Sequence, residues 1–148
     1  MSHTVHCDQG GDSFVIELPW DRPPLTLNGR EHRMEVARTT REVRGTAKTL
    51  AQRVGIDRMI RPSLNLVWLV TSRHKRDADN VVPTLKALAD GIVDAGVAED
   101  DTPELMHKSM PVIQYAKGHP KAPGLFLVIW EAGGSTADEL RALKEIQA

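Results

Sequence analysis

Four short segments of the chain carry hydrophobic patterns that favour β-strands. Residues 14–19 place alternate apolar side chains on one side, which is the two-residue period of a half-buried strand. Residues 64–71 and 125–130 are runs rich in aliphatic, β-branched and aromatic residues. A fourth strand is predicted over 106–114, where Pro111 favours a position at the edge of a sheet.

Longer segments show the three- and four-residue spacing of amphipathic helices. The first runs over residues 30–54 and ends at Gly55, a residue suited to the left-handed conformation that follows a helix. Its predicted buried stripe consists of Val36, Thr40, Val43, Ala47, Leu50 and Val54. A second helix is predicted over 81–95, with Asn80 as its N-cap and Pro83 in its first turn.

The order of these elements indicates the fold class. A capping box that opens at Thr136 predicts a short final helix, so the chain reads β-α-β-α-β-β-α. This order predicts an α+β fold in which helices pack on a mixed β-sheet. We expect a flexible N-terminus over 1–12, one folded domain over 13–132 and a C-terminal helical extension over 133–148.

Composition excludes several classes of protein. The chain has 148 residues, 41% of them hydrophobic, which is a globular composition rather than a disordered one. A single cysteine, Cys7, excludes a disulfide scaffold and a cysteine-rich zinc site. No apolar stretch approaches the roughly 18 residues of a membrane span, and no signal peptide is evident. We therefore expect a cytoplasmic protein with no membrane partner.

The net charge of −1 conceals a strong asymmetry along the chain. Residues 29–76 carry 12 Lys and Arg against 4 Asp and Glu, whereas residues 77–107 carry 1 against 8. A basic segment beside an acidic one suggests a polyanion bound by the first and a cation, such as a metal, bound by the second. The alternative is a solvated helix face followed by capped loops.

The most informative segment lies where these two regions meet. Asp77 and Asp79 leave a predicted strand two residues apart, and Asp100 and Asp101 follow the next helix. Carboxylates of this kind suit Mg²⁺, which takes one or two of them together with phosphate and water. The basic residues 73–76 directly before them can hold phosphates near such a metal. Alternatively, Asp79 and Asn80 cap a helix and Asp77 is merely exposed.

Two motifs in this region resemble the core of RusA-type Holliday-junction resolvases. The first is KRDADN at 75–80, followed on the helix by Lys86 and Asp90, and the second is DAGVAEDD at 94–101. A weaker likeness extends to residues 16–24. The resemblance implies that residues 13–132 form a RusA-like endonuclease domain and that the protein is an intertwined homodimer. Enzymes of this kind are found in bacteria and phages, which agrees with the cytoplasm of a bacterial or phage-infected cell.

The resemblance also implies an activity and its residues. It implies a Mg²⁺-dependent (or Mn²⁺-dependent) endonuclease that resolves four-way DNA junctions by paired symmetric nicks. Asp77, Asp79 and Asp101 would be the catalytic metal ligands, and Asp100 would support them. The family's catalytic lysine falls at Pro83 in this chain, so Lys86, on the same helix face as Asp79, is its expected replacement.

The basic residues complete the expected DNA-binding set. They are Arg73, His74, Lys75 and Arg76 before the acidic pair, and Arg41, Arg44 and Lys48 on the first helix. Their number disfavours a metal-dependent hydrolase of small phosphoesters, one of two alternatives. The other alternative is a protein of the same fold that binds branched DNA without cleaving it, because the family lysine is displaced.

The predicted length of the second helix bears on how one site is assembled. A straight helix over 81–95 is roughly 22 Å long. The five steps from Gly96 to Asp101 span at most about 17 Å. Either the second helix is shorter than predicted, or Asp101 of one subunit serves the site of its partner. We expect the second alternative.

Overall fold

The computed structural model describes residues 3–7 and 11–131, with side chains from Ser13 onward. In chain order its strands are β1 (His3–Cys7), β2 (Gly11–Glu17), β3 (Pro62–Val70), β4 (His107–Lys108), β5 (Val112–Tyr115) and β6 (Gly124–Glu131). Its helices are α1 (Arg33–Val54), a 3₁₀ helix (Ala78–Val81) and α2 (Val82–Asp94). The predicted final helix, over 133–148, lies outside the described residues.

The described strands form one mixed sheet in the order β1-β2-β6-β3-β4, and β5 also pairs with β3. The pairs of β1 with β2, β2 with β6 and β6 with β3 are antiparallel. β4 and β5 both run parallel to β3. The predicted α+β class with a mixed sheet and helices is therefore confirmed.

One face of this sheet packs against both helices. Leu64 and Leu66 of β3 are fully buried, and so are Leu125, Leu127 and Ile129 of β6. They share a core with the apolar residues of the helices, chiefly Val43, Ala47, Ala51, Leu85, Leu88 and Ile92. The helices approach closely at Gly91, where a Cβ atom would lie 2.3 Å from the Arg44 carbonyl oxygen. The burial of these apolar side chains holds both helices against the sheet.

The first helix follows its predicted pattern only over its second half. It ends as predicted, because Gly55 takes a φ of 76° and donates its N–H to the Ala51 carbonyl. Val43 and Ala47 are buried, but Val36 is 38% exposed. All side chains from residue 31 to 38 are exposed. Val36 lines an open groove between α1, the loop before it and the first turns of α2.

The sheet also differs from expectation at both edges. β1, over His3–Cys7, pairs with β2 in a hairpin, although the sequence suggested a flexible segment there. Backbone pairing, which needs no hydrophobic pattern, accounts for this extra strand. The single strand predicted over 106–114 is divided into β4 and β5 on either side of Pro111. Neither described α-helix is long and apolar enough to cross a membrane.

Candidate functional site

The connection from β3 to α2 carries the acidic pair. β3 ends at Val70, and residues 71–77 lead into the 3₁₀ helix that precedes α2. Asp77 and Asp79 are both exposed. Within the described part of the chain, neither carboxylate accepts a hydrogen bond or forms an ion pair. Both carboxylates are therefore free to bind a ligand from solvent.

Asn80 does not cap α2, contrary to the sequence prediction. The N-cap of α2 is Val81, which provides no side-chain hydrogen bond, and Pro83 lies in the first turn as predicted. The Asn80 side chain instead accepts a hydrogen bond from the Asn28 N–H at 2.9 Å. The 3₁₀ helix occupies the positions just before α2, and Asn80 within it anchors the loop that contains Asn28 to the start of α2.

Asp101 lies in a different environment, between two lysines. Its carboxylate accepts a short hydrogen bond from the Lys86 ammonium, and Lys108 Nζ lies 3.3 Å from the same oxygen. Lys86 also pairs with Asp90, one turn further along α2, at 3.0 Å. The hydrogen bond from Lys86 lowers the pKa of Asp101 to about 2, and the reciprocal bond raises the pKa of Lys86. Asp100 accepts a hydrogen bond from the Asp101 N–H at 2.8 Å.

These contacts bear on the prediction that two subunits share one site. Lys86 is the fifth residue of α2, so the loop after the helix returns along more than half of the helix length. α2 has 13 residues, fewer than the helix predicted from the sequence. The argument from helix length therefore no longer requires Asp101 to serve the partner subunit.

The carboxylates fit a divalent metal in part. Asp77 and Asp79 are two exposed oxygen donors close in sequence, a set that suits Mg²⁺ with water and phosphate as its other ligands. Among the residues whose positions are described, no group of three or more His, Cys, Asp and Glu side chains is placed to hold one ion. Asp101 is held by lysines in this structure, and its role as a third ligand stays a prediction.

The side chains of the basic loop, residues 73–76, differ in how accessible they are to a ligand. Arg76 is engaged within the loop, because its guanidinium donates to the Ser72 and His74 carbonyl oxygens and lies 5.2 Å from the centre of the Trp68 ring. His74 and Lys75 are exposed. Arg73 lies over the Tyr115 ring at 4.0 Å. Three of the four predicted phosphate-binding residues, Arg73, His74 and Lys75, are thus accessible to a ligand.

The basic edge of α1 is only partly available. Arg44 forms two hydrogen bonds to Asp94 at the end of α2, at 2.5 and 2.8 Å. This bidentate contact lowers the pKa of Asp94 and joins the two helices. Arg41 and Lys48 remain exposed. The structure therefore gives Arg44 a structural contact that the sequence pattern did not reveal.

Sequence reasoning missed two residues near the predicted site. Lys108 contacts Asp101 from β4, and Tyr115 contacts Arg73 from the end of β5. Both lie on the edge strands that pair with β3 in parallel. No motif or spacing marks them in the sequence, because their positions depend on how β4 and β5 align with β3.

The chain was compared with known proteins. No protein-family model and no curated protein matches it. Among solved structures, the periplasmic domain of Helicobacter pylori MotB (residues 97–256) matches with a TM-score of 0.34 and 10% sequence identity. The match covers 97% of this chain and 96% of that one. At this TM-score the likeness carries no argument about fold or function.

Proposed function

We propose that the protein is a divalent-metal-dependent endonuclease of the RusA type that resolves four-way DNA junctions. Asp77 and Asp79 bind Mg²⁺ or Mn²⁺, and Lys86 stabilises charge on the phosphodiester that is cleaved. The bound metal supplies a nucleophilic water and stabilises the leaving oxygen. The homodimer places two equivalent sites on a junction that itself has two-fold symmetry.

One observation carries this proposal. The loop after α2 folds back so that Asp101 contacts Lys86 of the same chain. Lys86 is seven residues beyond Asp79, or about 10 Å along a helix. The second motif is distant in sequence from the first, and in the folded chain its Asp101 contacts α2, the helix that follows the first motif. This contact supports the assignment of Lys86 and both acidic segments to one region of the molecule.

The surrounding charges support a nucleic acid as the substrate. Residues 73–76 carry three cationic side chains immediately before the acidic pair. Lys75 is exposed and makes no hydrogen bond or ion pair with the described residues, so its ammonium can contact a phosphate. Contacts of this kind bind the backbone without reading the bases. Selectivity would then come from the shape of the branched DNA.

A second function is favoured by the lysines around Asp101. Because Lys86 and Lys108 both contact its carboxylate, Asp101 is already neutralised within the chain. A protein of the same fold that binds branched DNA without cleaving it would need no third metal ligand. The endonuclease should nick a junction when a divalent metal is present, whereas the binding protein should leave the DNA intact with or without metal.

A junction-cleavage assay separates these functions. The protein is incubated with a labelled four-way junction, with Mg²⁺, with Mn²⁺ or with a chelator, and a linear duplex of the same sequence is the control substrate. Symmetric nicks in the junction that require metal support the endonuclease. Binding of the junction without nicks under any condition supports the second function, and absence of both binding and nicks contradicts both.

A further inference from the structure

Two loops lie side by side at one end of the sheet. β3 and β5 are parallel, and their last residues, Val70 and Tyr115, are register partners. The Ala116 N–H donates to the Val70 carbonyl oxygen at 2.8 Å, which continues this pairing into the following loop. Residues 71–76 and residues 116–121 are therefore neighbours, although they are distant in sequence.

Both loops are cationic. They contain Arg73, Lys75, Arg76, Lys117 and Lys121, together with His74 and His119, and neither contains Asp or Glu. Lys121 is paired with Glu17 at 3.3 Å, and Arg76 is engaged within its own loop. Lys75 and Lys117 are exposed. The pair of loops thus forms a cationic surface directly beside Asp77 and Asp79, which begin the acidic segment.

A cation–π contact between Arg73 and Tyr115 lies within this cationic surface. The Arg73 guanidinium is 4.0 Å from the centre of the Tyr115 ring, and the tyrosine is 39% exposed. Arg73 is exposed as well, and no hydrogen bond or ion pair joins it to the described residues. The ring restricts the guanidinium, and the exposed arginine is still available to a ligand.

We propose that Arg73 and Tyr115 form a stacking platform for an unpaired nucleotide of branched DNA. This inference rests on the proposed function, because it takes its partner to be a nucleic acid. Exposed aromatic rings and guanidinium groups are the surfaces on which unstacked bases pack. The cations around the platform bind the flanking phosphates. Bases inside a duplex have both faces covered, so the platform distinguishes an opened branch point from continuous double helix.

The test uses a fluorescent base whose emission falls on stacking, 2-aminopurine. It is placed at the branch point of a four-way junction, in a single-stranded segment or inside a linear duplex. The Asp79→Asn protein is used throughout so that binding is measured without cleavage. We expect quenching at the branch point and in the single strand, and no change inside the duplex.

Two variants identify the residues responsible. Arg73→Lys keeps the charge but loses the planar group, and Tyr115→Leu removes the ring. Each should abolish the quenching and weaken binding to DNA with unpaired nucleotides by about 10-fold, with duplex affinity unchanged. Tyr115→Phe should behave as the parent does, and Arg38→Lys, an exposed position on α1, is the matched control.

The possible outcomes are distinct. Unchanged quenching in both Arg73→Lys and Tyr115→Leu would overturn the platform and leave the endonuclease proposal intact. Equal loss of affinity for duplex and unpaired DNA would also overturn it, because it would make Arg73 a phosphate contact only. If the parent protein bound no DNA at all, the proposed function itself would be contradicted. Thermal unfolding of each variant confirms that it is folded.

Discussion

Asp77 and Asp79 are exposed and contact no cation of the described chain, whereas Asp101 is paired with two lysines. The difference follows from the elements that carry them. The first pair lies in the connection from β3 to α2, at the end of the sheet. Asp101 lies in the loop that returns between α2 and β4, where Lys86 and Lys108 flank it. The proposed function therefore gives the two segments different roles, with Asp77 and Asp79 as proposed metal ligands and Asp101 as the residue that holds two lysines.

This comparison assigns a positioning role to Asp101. Two ammonium groups that share one carboxylate oxygen are held within a few ångströms of each other despite their mutual repulsion. The free carboxylates at Asp77 and Asp79 have no such function in the chain itself. Removing a carboxylate should therefore affect chemistry in one segment and stability in the other.

The largest expected effect is the loss of junction cleavage when Asp77 or Asp79 is replaced. Replacing Asp77 or Asp79 by Asn removes a metal ligand, so junction cleavage should fall below detection. Junction affinity should stay the same or increase, because a negative charge near phosphate is lost. Cleavage is measured by gel and affinity by mobility shift, with Asp57→Asn, another exposed carboxylate, as the control. Full cleavage by Asp79→Asn would contradict the metal-site assignment.

Lys86 contacts Asp101 from the helix that follows Asp79, and its loss should have the next largest effect. Lys86→Ala removes a cation positioned by Asp90 and Asp101, and turnover should fall by on the order of 10²-fold. Affinity should change little, because one phosphate contact of many is lost. Single-turnover cleavage separates the two quantities, with Arg58→Ala as the control. A normal cleavage rate in Lys86→Ala would mean that another cation, Lys108 or Lys75, stabilises the charge on the phosphodiester.

The Asp101→Asn protein should be less stable than the parent in a pH-dependent manner. The pKa of Asp101 is lowered to about 2 from its ordinary 3.8, so its carboxylate stabilises the fold above pH 4. The expected loss is about 1–2 kcal/mol of unfolding free energy near pH 6, moderated by the exposure of Lys86. As the pH falls from about 4 to 2, the parent and the variant should converge.

Urea unfolding at several pH values measures this difference. Glu104→Gln, an exposed position in the same loop, is the control and should match the parent throughout. A stability difference that did not change between pH 6 and pH 3 would show that Asp101 acts through packing rather than charge.

The smallest expected effects are those of replacing Lys75 or Arg44, two cations outside the acidic segments. Lys75 is exposed and unpaired among the described residues, whereas Arg44 is held by Asp94. Lys75→Ala should weaken DNA binding a few-fold and reduce the slope of log affinity against log salt by about 0.9. Arg44→Ala should leave the slope almost unchanged and lower stability only slightly, because exposed ion pairs contribute little. If both variants showed the same slope of log affinity against log salt, the distinction between a free Lys75 and a paired Arg44 would be contradicted.

Several local features could be predicted from the sequence. The end of α1 at Gly55 and the place of Pro83 in α2 follow from conformational preferences of single residues. The central strands β3 and β6 follow from continuous apolar runs. The position of Asp77 and Asp79 between a strand and a helix could also be predicted, because it needs only the neighbouring elements.

Other features depend on contacts between distant segments. The exposure of Val36 and the hairpin of β1 with β2 required knowledge of which elements lie alongside one another. The Asn80 side chain was predicted to cap α2, but a loop more than fifty residues earlier in the chain competes for it. Local propensity cannot anticipate such a partner.

The sequence by itself determined the types of the central elements, the charge asymmetry and the acidic motifs, since each depends on residues close together in the chain. Only the tertiary structure decided that Asp101 contacts Lys86 and Lys108, that Arg44 is held by Asp94 and that Arg73 lies over Tyr115. The physical reason is that strand register and helix packing bring these partners together, and both are set by burial of the shared core. A pattern along one segment carries no information about the side chain that another segment will place beside it.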